Sequence, residues 1–377
     1  MKIVGIICEY NPFHNGHLRQ FQIIREHFGE DSTIVCLMSG NYVQRGAPAI
    51  FDKSLRAQAA IQCGADLILE LPTEIALSSA ERFAAGGVSI LSRCCNVLCF
   101  GTETMDSAAL VQTAQALLSP VFSAHLKEAL ASGISFPAAR QQALQQMEIP
   151  WTLSNPNDIL GVEYTKAILQ QKSELVIFPI YREGSYHADQ LNVAAPSATA
   201  VRSRLLNGGN WVDAVPDSIT ALFEHAPRHA LEAGERAVIA KLRTMSEEDF
   251  ELLPYGSEGL WRKLMKASRT APDLPSIIRI VKSKRYTRSR IDRMILCAFL
   301  GLKSEEIGTV PESVRILAFN DRGRTVLHES PSFQNAGDAP TDREKRLGDL
   351  YGLFCLDGIE PPAIEERRRV VYLRSKE

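Results

Sequence analysis

Two histidines three positions apart, His14 and His17, bracket Gly16 in the stretch EYNPFHNGHLRQ, Glu9 to Gln20, directly after the apolar run Lys2 to Cys8. The order of apolar run, short polar loop and helical spacing puts the pair where a strand becomes a helix. Unpaired amides and the dipole at a helix N-terminus attract anions, and Gly16, without a side chain, lets a phosphate approach the backbone. Imidazoles on the same side can stabilise negative charge growing on an α-phosphate and on departing pyrophosphate. Two other readings stand beside this one: ordinary turn residues, and metal ligands. Against the metal, H-x-x-H with an internal glycine lacks the i, i+4 spacing of H-E-x-x-H, and no third ligand is evident.

A second stretch, PSATAVR, Pro196 to Arg202, offers matching chemistry. Ser197 can cap a helix, Thr199 adds a hydroxyl, and Arg202, one turn on, presents a fork to phosphate oxygens. By itself the stretch reads as a plain capped helix. In order after His14 and His17, it reads as the other half of a triphosphate site.

The elements that would position these groups repeat one rhythm. Apolar runs KIVGIIC, TIVCLM, DLILEL and NVLCF alternate with helical patterns at Gly16–His27, Asp52–Cys63, Glu81–Arg93 and Asp106–Leu118. The runs lack polar alternation, which predicts an α/β fold with a parallel sheet covered on both faces. Ligands in such sheets sit beyond the carboxyl ends of the strands. That rule selects the loops EYNPFHNGH, SGNYVQRGAP and GTET, and the end of ELVIFPIYREG at Arg182. Beyond LLNGGNW only helical periods follow, and SVRILAFNDRGRTVL then reads as a strand, a turn at Asn320 to Gly323 and a second strand. The expected divisions are residues 1–207, a helical region 208–303 and a small C-terminal α/β region 304–377.

With 377 residues, 45% hydrophobic and 23% charged, the chain is globular rather than disordered, and a net charge of -2 hides strong local asymmetry. Arg262 to Arg293 holds eleven Lys or Arg against Asp273 and Asp292, an excess suited to a phosphate backbone. Within it, Lys282, Lys284, Arg285, Arg288 and Arg290 surround Tyr286, which is placed to stack on an unpaired base. No apolar run is long enough to cross a membrane, so a cytoplasmic location is expected. Cys94, Cys95 and Cys99 lie in RCCNVLCFG, which reads as a helix end entering a buried strand rather than a metal site.

The stretch FHNGH after a first strand resembles the H-x-G-H signature of the nucleotidyltransferase superfamily, and PSATAVR resembles its second signature. More specifically, VGIICEYNPFHNGHL, MSGNYVQRGAPA, ADLILELP, FGTE, NPNDILGVEY and KRYTRSRIDR, in this order, resemble the bacterial tRNA(Met) cytidine acetate ligase family from Met1 to about Leu300. The resemblance implies a Rossmann-like ATP-binding domain over 1–207 and a tRNA-binding role for the basic helices. It implies activation of acetate by ATP to acetyl-adenylate, then acetyl transfer to the wobble cytidine of elongator tRNA(Met). It also implies a nucleotide site of Ile7, Phe13, His14, Gly16, His17, Gln20, Gly101, Asn157, Arg182, Ser197, Thr199 and Arg202, with His14, His17 and Arg202 catalytic. Asn41, Gln44 and Arg45 of GNYVQRG are expected near acetate or the incoming cytidine, and magnesium is expected to arrive on ATP. Two alternatives share these signatures: an adenylyltransferase acting on a small molecule, and an RNA-binding protein on an inactive nucleotidyltransferase fold.

Overall fold

The computed structural model describes residues 2–149, 154–181, 196–330, 332–334 and 338–374. Strands β1 (Ile3–Cys8), β2 (Thr33–Ser39), β3 (Leu67–Leu71), β4 (Val97–Thr102) and β5 (Val176–Tyr181) are mutually parallel in the order β3-β2-β1-β4-β5. Every residue of β2 is buried, as its unbroken apolar sequence requires. Helices α1 (Asn15–Phe28), α2 (Lys53–Gln62), α3 (Ala80–Leu91), α4 (Pro156–Gln171) and α5 (Ala198–Asn207) connect or flank these strands. Alternate strand residues feed two cores: Val35, Leu37 and Leu98 on one face, Ile34, Cys36 and Cys99 on the other. The strand order reverses between β1 and β4, so a crevice opens there, at the carboxyl ends.

After α5 the chain is helical, with α6 (Leu260–Thr270), α7 (Leu274–Val281) and α8 (Arg288–Leu300) around a third core of Leu264, Ile277 and Ile291. Tyr42 belongs to that same core, and its hydroxyl donates to the Leu347 carbonyl at 2.8 Å. The chain then returns to the sheet: β6 (Val314–Asn320) pairs antiparallel with β3, and β7 (Val371–Leu373) pairs parallel with β6.

The parallel sheet and the helical stretch agree with the sequence pattern. The second strand expected after Asn320 is instead helix α9 (Asp321–Glu329). The reason is local: the Asn320 side chain accepts from Gly323 N at 3.0 Å, so the expected turn is a helix cap.

One buried cation fixes the site-bearing ends of β1 and β2. Arg56, fully buried on α2, donates to the carbonyls of Glu9 (2.6 Å), Ser39 (3.1 Å) and Phe51 (2.9 Å), and also to that of Gly40. Replacing Arg56 with Met should leave these inward-facing carbonyls without donors and cost about 3–5 kcal/mol of unfolding free energy, measured by urea denaturation.

The C-terminal segment is tied in by Arg368, which pairs with Asp52 and Glu365. Burial alone would raise the Asp52 carboxyl, but Arg368, Ser54 N–H and Lys53 bring it down from 3.8 to about 2. Because the folded value lies below the ordinary one, this pairing stabilises the fold above pH 4 or so and is lost as pH falls toward 2. An Arg368→Met variant should therefore lose less stability than the parent across that interval, as chemical denaturation at each pH would read.

Candidate active site

At the reversal point lies a cavity of about 300 Å³ lined on one side by Ile7, Asn11, His14, His17 and Gln20, and on another by Ser197, Thr199 and Arg202. The two motifs, far apart in sequence, face one space. Arg202 joins them directly: it donates to the Asn11 carbonyl at 2.5 Å and to Thr199 Oγ1 at 3.1 Å. Ser197 caps α5, its hydroxyl accepting from Ala200 N at 3.1 Å.

His14 and His17 cap α1 reciprocally. His14 Nδ1 accepts from Gly16 N at 3.1 Å, and His17 Nδ1 accepts from His14 N at 3.3 Å. The rings stack, with centroids 3.7 Å apart at 18°. A ring nitrogen that accepts from a backbone N–H carries no proton itself, so each neutral ring holds its hydrogen on Nε2. The loop thus presents two Nε2–H donors beside the first amides of a helix. Behind them, Tyr10 and Phe13 are buried and pack on His17, with ring centroids at 4.8 and 5.4 Å.

The opposite wall is apolar. Phe83, Phe100, Leu160 and Tyr164 line it next to Gly101, where β4 exposes backbone, and this suits a nucleobase and ribose. Asn157 stands at the start of α4, its side chain donating to Glu103 Oε1 at 2.6 Å. Asp158 closes the same loop by accepting from Thr104 Oγ1 at 2.6 Å and Glu103 N at 2.9 Å. Burial pushes the Asp158 carboxyl up, but the bond from Thr104 and those from the loop amides hold it below its ordinary value, so it stays ionised. Cys8 also borders the cavity, and burial pushes its thiol well up, so no thiolate nucleophile is offered.

Of the residues expected from sequence, Ile7, His14, His17, Gln20, Gly101, Asn157, Ser197, Thr199 and Arg202 line this cavity, together with Gln44 and Arg45. Phe13 supports the loop from behind. Asn41 faces elsewhere: it is buried, accepting from Lys53 N at 2.8 Å and donating to Asp52 at 3.3 Å, so it holds the start of α2. Arg182 lies outside the described residues. Glu9, whose carboxylate accepts from Gln44 N at 2.9 Å, was not anticipated, and neither were Glu103 and Asp158. Glu9 and Glu103 sit just beyond strand ends, the signal that could have found them, whereas Asp158 lies in the first turn of α4.

Tyr286 does not stand ready to stack on RNA. It is buried, its hydroxyl donating to the Glu258 carbonyl at 2.6 Å, because Lys263 and Arg290 close over its ring. Lys282, Lys284, Arg285 and Arg288 are exposed, whereas Arg290 folds onto the Tyr255 carbonyl at 2.9 Å. Helix α8 reaches the cavity's border, since Arg293 donates to the Gln44 carbonyl at 3.3 Å. The Cys94 and Cys95 sulfurs are 3.6 Å apart and both reduced. Among the described residues, one grouping away from the cavity, His229, Cys355 and Glu360, brings three metal-type donor atoms within 4.8 Å, with His229 Nε2 already bonded to Glu360.

Phosphate-binding helix starts facing an apolar slot across a strand-order reversal define a nucleotide-binding α/β protein of the nucleotidyltransferase class. The chain matches the family described as HIGH Nucleotidyl Transferase over residues 1–336. It is 35% identical over 355 residues to the tRNA(Met) cytidine acetate ligase of Acetivibrio thermocellus, covering 87% of this chain and 85% of that one. It is 37% identical to the protein of that name from Clostridium novyi, covering 87% of each. The crystal structure of Thermotoga maritima TmcAL (apo) superposes with a TM-score of 0.91 at 28% identity, covering 100% of both chains. The form bound with alpha-thio ATP gives 0.86 at 28% identity and the same coverage. The chain belongs to the tRNA(Met) cytidine acetate ligase family.

A methyl group on Gly16 would meet His14 Cε1 at 3.0 Å and Nδ1 at 3.1 Å. Gly16→Ala should therefore tilt the His14 ring off its cap and lower ATP–pyrophosphate exchange about 100-fold, with little change in melting temperature, as exchange assays and thermal denaturation would show.

Proposed function

We propose that the protein activates acetate with ATP and passes the acetyl group to the wobble cytidine of elongator tRNA(Met). The observation that carries this is the meeting of His14, His17 and Arg202 at one cavity whose border touches the basic helices. An acetate oxygen attacks the α-phosphorus, the bond to the bridging oxygen of pyrophosphate breaks, and acetyl-adenylate forms. The cytidine N4 amine then attacks the acetyl carbonyl carbon; the bond to AMP breaks and the amine loses a proton. Neither step requires a protein nucleophile. The first requires charge on the departing pyrophosphate to be met by donors fixed beforehand, which is what two capped imidazoles, a helix start and Arg202 supply.

Gln44 and Arg45 border the cavity on the side nearest α8, which suits them to acetate or the incoming cytidine. Residues 208–303 carry the basic excess and would hold the tRNA backbone through Lys282, Lys284, Arg285 and Arg288. Magnesium would come with the triphosphate. Glu9 is the one carboxylate among the described residues lining the cavity, whose other charged side chains are cationic, so the nucleotide's own oxygens would supply most ligands. With ATP and tRNA as substrates, the working location is the cytoplasm; among the described residues no helix is long and apolar enough to span a membrane.

Incubation with ATP, labelled acetate and total tRNA, each omitted in turn, tests the reading. Label in one tRNA that depends on ATP supports it, while turnover of ATP with a phosphorylated metabolite in place of acetate would overturn it. The histidines can be tested without losing their caps. Asparagine offers an acceptor oxygen at the δ position, so His14→Asn or His17→Asn should keep α1 capped while removing Nε2–H. Each should lower acetate-dependent ATP–pyrophosphate exchange about 100-fold or more, with tRNA affinity by filter binding unchanged.

A further inference from the structure

With Tyr286 buried, the basic region needs another place to receive a base. An open hollow of about 450 Å³ lies between the segment at Leu231 and helix α7. Leu231, Pro275 and Ile278 give it an apolar floor; Arg279, Lys282 and Arg288 stand on its α7–α8 side, and Glu232 and Glu235 line it beside Leu231, Glu235 accepting from Leu274 N at 2.7 Å. All three cations are exposed. An apolar floor alone would suit many occupants, but three cations along the α7–α8 side, against two carboxylates beside Leu231, suit a flat apolar group whose phosphates lie on the α7–α8 side.

Its position is equally specific. Arg288 and Arg293 lie on α8 five residues apart, about 7.5 Å along the axis. Arg293 bonds to Gln44, and Gly46 packs so closely on α8 that an added methyl would collide with the backbone of Asp292 and Arg293. The rim of the hollow and the loop bordering the nucleotide cavity are therefore held at fixed separation by a turn and a half of one helix. An RNA loop with one base at the cavity would carry neighbouring nucleotides past the hollow.

We propose that this hollow is a second base-binding site, which takes an unpaired base of the RNA loop near the cytidine being acetylated, with flanking phosphates on Arg279, Lys282 and Arg288. The proposal rests on the tRNA reading above. It assigns the hollow a part in choosing and orienting the RNA, and none in adenylation.

The test uses the full chain and a set of stem-loop RNAs with the anticodon arm of tRNA(Met), each carrying one abasic loop nucleotide. Leu231→Glu and, on the opposite wall, Pro275→Glu should leave acetate-dependent ATP–pyrophosphate exchange unchanged and raise KM for the intact RNA about tenfold. One abasic RNA should show a similar penalty with the parent protein and no further penalty with either variant, because both changes remove the same contact. Unchanged KM in both variants, or penalties that simply add, would overturn the second base site while leaving the acetylation reading intact. Elution of the parent protein as a dimer that Leu231→Glu makes monomeric would assign the hollow to a second copy and overturn it too. Failure of the parent protein to acetylate any of these RNAs or tRNA(Met) would remove the reading on which the site rests.

Discussion

The arrangement depends on a buried guanidinium that donates to backbone carbonyls. Arg56 donates to four of them: Glu9, just after β1; Ser39, the last residue of β2; Gly40, the first after it; and Phe51, ahead of α2. Burial pulls its pKa below the ordinary value, and the carbonyl dipoles offset that desolvation. A hydrophobic side chain in its place would have nothing to offer those oxygens, and a lysine, with a point charge in place of a fork, could not address them in the same geometry. The consequence is that the two loops bordering the cavity, after β1 and after β2, leave the sheet from one shared anchor.

On that anchor the histidine loop does two jobs with one set of atoms. The Nδ1 atoms satisfy backbone donors that a helix start leaves unpaired, and this orients Nε2–H outward. In the proposed adenylation, charge stabilisation would then require no reorganisation when the α-phosphate changes geometry. Serine or aspartate would cap α1 at least as well, but neither presents a second donor beyond the cap. On the proposed reading, the ligand side of the ring is what calls for histidine at both positions, while the helix side sets its orientation.

Much of this was legible because it is local. The continuous apolar runs made the parallel sheet readable, and Asp52, Asp106 and Ser197 mark helix starts within a residue of the expected positions. What was not legible depends on partners distant in sequence. Tyr286 looked like a stacking residue in a basic run, but it is the carbonyl of Glu258 and the ring's two cations that decide its burial. Asn41 looked like a substrate contact and is spent on α2, twelve residues on. Arg56 carried a readable sign: it shares the buried face of α2 with Lys53, Ala57 and Ala60, a place where a charged side chain demands a reason. The antiparallel return of β6 onto β3 left no such sign, because an apolar run pairs equally well in either direction.

The loop after β2 links the nucleotide cavity to the basic helix, which in the proposed reaction would couple the two half-reactions. Its carbonyl at Gln44 receives Arg293 from the basic helix, its amide at Gln44 is held by Glu9 from the end of β1, and Gly46 admits α8 where no other residue would fit. The loop is thus bonded on one side to Glu9, in the loop that leads from β1 to the histidines, and on the other to the basic helix α8. A displacement of α8 on binding RNA would be felt at Gln44 and Arg45 through bonds rather than through solvent. In the proposed reaction this geometry favours an order in which the activated acyl group waits in a cavity bordered by the basic helix α8, so that the amine meets acetyl-adenylate in place of bulk water.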